Sequence, residues 1–132
     1  MRWDPHQENI THLEQSAELQ SMFYLVVIMV HRPNITRRRQ SELERNQGLG
    51  ICTSAARSCT RVVSVFSRRS ILVPCHAYTA AFASAAILMT AIWTRKHADP
   101  EANVIDLETD MLECVYALRR AEKRYAFLRS SN

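Results

Sequence analysis

Glycine is nearly missing from this chain: Gly48 and Gly50 are the only two in 132 residues. Two glycines cannot build a phosphate-cradling loop, which needs several in close order. Four prolines (Pro5, Pro33, Pro74 and Pro100) complete the short supply of turn formers. All-β folds need many tight turns, so this scarcity excludes them and favours a few long elements. Paired CxxC spacing is also lacking, as are GxSxG, HExxH and an EF-hand loop. Those absences remove the familiar zinc, serine-hydrolase and calcium sequence patterns from consideration. No internal repeat and no low-complexity tract is present.

What the chain does have is helix formers. Ala, Leu, Glu, Arg and Ser are plentiful, and 132 residues suffice for one domain with its own core. The expectation is a compact all-α domain with four main helices, at about 12–31, 49–68, 74–96 and 100–128. Residues 1–11 read as a polar arm, 12–128 as the domain and 129–132 as a tail.

The first helix carries the densest apolar stretch. Met22 to Val30 is nine residues without charge, and His31, Arg32 and Pro33 end it. Such a run predicts a central, buried helix with a hard C-terminal stop. Thr11 and Glu14 have capping-box spacing and would open it. A loop follows at 32–40, with Arg37, Arg38 and Arg39 exposed. Ser41 and Glu44 form a second possible capping box, and the two glycines predict a turn or kink near 46–50.

Cys52, Ala55, Ala56, Cys59, Val62, Val63 and Phe66 recur at three- and four-residue steps and make one helical face. Pro74 suits the first turn of the next helix, whose main stripe reads as Tyr78, Phe82, Ala85, Met89 and Ile92. Asp99, Pro100 and Glu101 predict the start of the last helix. Its seam runs through Val104, Leu107, Met111, Cys114, Leu118, Ala121, Tyr125 and Leu128. The seam could pair two copies as a coiled coil, but packing within the domain is the stronger expectation.

Charge is unevenly placed in a chain of net charge +4. Residues 33–72 hold eight arginines against Glu42 and Glu44; residues 99–132 hold seven acids against five bases. A basic middle suits nucleic acid or an acidic partner, although solvated helix faces explain it more simply. Arg68–Arg69 and Arg119–Arg120 are runs too short to identify a binding site. Residues 75–94 carry no formal charge and are long enough to span a bilayer. Their Ala, Ser and Thr content points to a core helix instead. Residues 1–12 are polar, so no secretory leader is expected.

No candidate catalytic, cofactor or metal residue emerges. Cys52 and Cys59 are seven apart, about 10 Å along a helix, too far to share a metal or a disulfide. With Cys75 and Cys114 they read as buried hydrophobes in a reducing compartment. His6, His12, His31, His76 and His97 are scattered. Trp3 reads as a cap on the core. The expectation is a non-enzymatic chain.

The order of these pieces resembles a known family. Phe23-Tyr24 with His31-Arg32-Pro33 comes first, then Cys52, Ala55-Ala56 and Cys59. Tyr78, Phe82, Ala85 and Ile87-Leu88 follow, and His97-Ala98-Asp99-Pro100 leads into Leu107, Cys114 and Leu118. Over residues 3–128 this resembles the later half of the fungal-specific transcription factor domain. That domain is the helical middle region of zinc binuclear-cluster regulators, and Trp3 resembles the Trp that precedes its long helix. The resemblance implies a regulatory-domain fragment acting in transcription in the nucleus. The family's cysteine-dense DNA-binding cluster has no counterpart here, so zinc is expected only in that module of a full-length relative. Partners implied are other protein segments or the transcription machinery, a second copy, and an unidentified small effector. No nucleic-acid site is assignable. The alternatives are a membrane-associated helical protein using 75–94 and a helical adaptor that dimerises through the seam.

Overall fold

The computed structural model describes residues 3–36, 41–69 and 75–130. Among them the protein is all-α. Four long helices and one short one run in the order α1 (Ile10–His31), α2 (Pro33–Thr36), α3 (Glu42–Arg69), α4 (Cys75–Ala98) and α5 (Ile105–Ser130).

The helix boundaries follow local chemistry, with corrections to the sequence reading. α1 begins earlier than the Thr11 box implied. Asn9 is the N-cap, its Oδ1 accepting the amides of Thr11 (3.0 Å) and His12 (3.4 Å). α1 does stop at His31. The Arg32 amide still donates to the Ile28 carbonyl (2.8 Å), but Pro33 has no N–H to continue the ladder. The predicted loop after it begins with one helical turn instead, α2, with Pro33 in its first position. The Arg37–Arg39 run lies outside the described residues.

α3 starts seven residues before the predicted 49. Ser41 Oγ accepts the Glu44 amide (3.2 Å), so the second cap is real, and the helix runs unbroken through both glycines. The predicted kink at 46–50 is therefore wrong, and Gly48 has another use. A Cβ there would sit 3.0 Å from the Asn34 Cβ and 3.5 Å from the His31 carbonyl, so Gly48 lets α2 lie against α3. Gly50 faces open space.

The expected start of α5 at residue 100 is also corrected. Asp99-Pro100-Glu101 forms a turn: Asp99 accepts the Glu101 amide on its Oδ1 (3.1 Å) and the Ala102 amide on its carbonyl (3.0 Å). Asp and Pro are the residues a type I turn favours at its first two positions. Val104 is then drawn into the core, and Asn103 Oδ1 takes the Ile105 amide at the true helix start (3.1 Å). The Pro74 start of α4 lies outside the described residues.

Three core layers fix the topology. Ala17, Val62, Phe66 and Ala77 meet at one end. Cys59, Val63, Ala80, Ala81 and Ala117 form the middle. Ile28, Cys52, Ala55, Ala56, Ile87, Leu88, Ala91 and Leu107 form the other end. Reading residue numbers through the layers, α1 and α4 run one way and α3 and α5 the other. α3 and α4 form the middle pair, each touching both outer helices; α1 and α5 do not touch each other.

The central helix is therefore α3, not α1. Every residue of the predicted α3 face, from Cys52 to Phe66, is buried. The apolar run of α1 is largely exposed: Met22, Phe23, Val26, Met29 and Val30 face outward, and Ile28 alone of the nine is buried. The α4 stripe is corrected too. Phe82 is 69% and Met89 60% exposed, while Ala77, Ala80, Ala81, Ser84, Ile87, Leu88 and Ala91 turn inward. Small residues win that face because they let α3 and α4 approach closely. The α5 seam packs inside the domain from Val104 to Ala121, and Tyr125 is left 73% exposed beyond it.

Candidate functional site

The cysteines sit where a small hydrophobe belongs. Cys52, Cys59 and Cys114 are buried and free; the side chain of Cys75 lies outside the description. Burial pushes the Cys59 and Cys114 thiols up to about 11, with the Ser84 and Thr60 side chains offsetting part of it. The Cys52 thiol is raised by the same cause. Thiolates are the reactive and metal-binding form, so these groups are held in the inert one. Among the described residues no group of three His, Cys, Asp or Glu side chains could hold a metal.

The histidines stay apart. His76 Nε2 lies 3.1 Å from Glu18 Oε1, linking α4 to α1. His97 stacks on Trp93, ring centroids 4.9 Å apart. His31 ends α1 half-buried. Trp3 packs on the layer of Ala17, Val62, Phe66 and Ala77, as a cap on the core should.

The two described basic pairs serve the fold in part. Arg68 binds Glu113 (2.9 Å) and Arg69 donates to the Pro5 carbonyl (2.9 Å). Arg120 donates twice to Ser67 Oγ (3.1 and 2.8 Å). Burial, and then Arg68 nearby, lower the Arg120 pKa from its ordinary value. With Arg57–Asp110 (2.7 Å), Ser64–Glu113 (2.9 Å) and Thr60–Cys114 (3.0 Å), the Arg68 and Arg120 contacts line the parallel seam between α3 and α5. The polar groups fix the register of two helices that hydrophobic packing alone would allow to slide.

The surface that the fold leaves unexplained lies on α1 and α4. Leu19, Met22, Phe23, Val26, Met29 and Val30 follow one another at helical spacing on the outside of α1. Phe82, Met89 and Trp93 do the same on α4, each at least 60% exposed. Between the two helices runs a groove of about 420 Å³, walled by Leu25, Ile28 and Met29 on one side and Phe82, Ala86 and Ile87 on the other. Arg32 lines it near the end of α1. Large apolar side chains left exposed in this number on two neighbouring helices are uncommon on a surface that meets only water. Sequence reasoning missed this exposure by assigning the same residues to the core. The discriminating signal was the alanine-rich stripe of α4, which leaves the large residues of that helix on the other side.

No family model matches this chain, and no curated protein or solved structure matches it either.

Proposed function

We propose that this chain is a non-catalytic helical interaction module, the regulatory part of a transcription regulator, that receives an apolar protein helix on α1 and α4. The exposed apolar face carries the reading. Phe82 of α4 lines a groove of the sort that accepts an amphipathic helix, and Phe23 stands on the exposed apolar side of α1. The transcriptional half rests on the residue resemblance alone, chiefly Phe23-Tyr24 with His31-Arg32-Pro33. Nuclear localisation follows from that same half.

Fusing the chain to an unrelated DNA-binding module and measuring a reporter tests both halves. Expected is a change in reporter output that disappears in Phe23→Asp/Phe82→Asp, while the helical circular dichroism spectrum is kept. Output equal to that of the DNA-binding module alone sinks the transcriptional role. A persistent effect in the double variant sinks the face.

The same exposed residues favour one second reading, a membrane surface as the partner. The His76–Ala98 segment is long and apolar enough to cross a bilayer, with 39% of its apolar window buried inside the protein. Cosedimentation with phospholipid vesicles, lost in the same double variant, would favour this reading over the first.

A further inference from the structure

A second concave surface lies between α3 and the C-terminal end of α4, away from the apolar face. It is a polar cleft of about 480 Å³. Arg57 and Arg61 line it from α3 and Arg95 from α4, with hydroxyls from Thr53, Ser58 and Thr94 among them. Among the described residues no acidic side chain lines it. Asp110 takes the Arg57 Nε from α5 (2.7 Å). Arg61 and Arg95 are exposed and have no acidic partner among the described residues. Three cations therefore face one carboxylate.

This arrangement runs against helix stability. Arg57 and Arg61 are one turn apart on one face of α3, where like charges repel. Lys96, the neighbour of Arg95, reaches toward Glu108 (3.9 Å), so α5 supplies acids to Arg57 and Lys96 and not to Arg61 or Arg95. A multivalent anion would relieve the repulsion. Guanidinium forks match phosphate oxygens, and the hydroxyls can add neutral hydrogen bonds. Arg57 and Arg61 are spread by about 6 Å of helix rise, and Arg95 lines the same cleft from α4, one turn beyond Ala91 in the layer of Cys52 and Ala55, so the three cations are strung along the cleft and suit two or more linked phosphates better than one.

We propose that this cleft binds a small polyphosphate anion, independently of the α1/α4 face. Titration calorimetry of the whole chain with inorganic tripolyphosphate, at low and at physiological ionic strength, tests it. Expected is saturable one-to-one binding that weakens with salt. Arg61→Gln and Arg95→Gln should each lower the affinity about tenfold, the loss of one charge-assisted hydrogen bond. Arg129→Gln, at the far end of α5, should change nothing. Both target side chains are exposed, so an unchanged circular dichroism melt shows that the variants fold. Absence of saturable binding, or equal binding by the Arg61→Gln/Arg95→Gln double variant, overturns the proposal. So does a short DNA duplex that binds through the same arginines while tripolyphosphate fails to compete, since the phosphates would then belong to nucleic acid.

Discussion

Ala81 and Phe82 are neighbours on α4, and the structure assigns them opposite consequences. Ala81 is fully buried in the middle core layer, against Cys59, Val63 and Ala117. Phe82 is 69% exposed. If Phe82 were a core residue, Phe82→Ala would cost about 3–5 kcal/mol. With a third of its surface covered, the loss is about a third of a ring that buries roughly 200 Å² in full, near 1.5 kcal/mol at about 25 cal/mol per Å². The better helix propensity of Ala returns about 0.5 kcal/mol, leaving a net cost of about 1 kcal/mol. Ala81→Leu forces three more carbons into a packed layer and should cost about 1–3 kcal/mol or more. For a domain of this size each kcal/mol moves Tm by about 4 °C. Urea unfolding of both variants, read by circular dichroism, checks the pair. A large loss in Phe82→Ala together with a neutral Ala81→Leu would refute the reasoning and mean that α4 is rotated by about 100°.

Three further outcomes are expected. Asn9→Ala should destabilise by about 1 kcal/mol and Thr11→Ala by much less, because Asn9 holds the cap; equal losses in thermal melts would return the cap to Thr11. A double-mutant cycle on Arg57→Ala and Asp110→Ala should yield about 1 kcal/mol of coupling or less, since the arginine side chain is 36% exposed. In the folded protein Cys59 and Cys114 should stay unlabelled by iodoacetamide at pH 8, as read site by site by mass spectrometry, and react once the chain is unfolded. The folded thiols keep their protons up to about pH 11, while an unfolded thiol releases its own near 9.0. Stability from this source is thus intact below pH 9 and lost as pH rises through about 11; a Cys59→Ala/Cys114→Ala variant should lose that alkaline slope.

How far the sequence could be read depended on the kind of pattern. The α3 face was fully legible, because small apolar residues at three- and four-residue steps among arginines leave one choice of buried side. The breaks at His31 and near Ala98 were legible from proline chemistry, although Asp99-Pro100 served a turn and not a cap. α1 and α4 were misread for a shared reason. Both are apolar almost all round, so hydropathy has no direction along them and cannot say which side meets α3. Packing decided, and it chose the side with the smaller residues. The apolar face was invisible for the same reason. The cationic cleft required a fact with no one-dimensional trace, that Arg95 of α4 lines the same cleft as Arg57 and Arg61 of α3.

That α1 and α5 never meet has a consequence for motion. Each outer helix rests on the α3–α4 pair like a leaf on its own hinge, and either can loosen while the other stays shut. Amide exchange should then be slowest in the middle of α3 and α4, with two separate, faster classes for α1 and α5. A partner that clamps α1 would slow the first class and leave the second untouched.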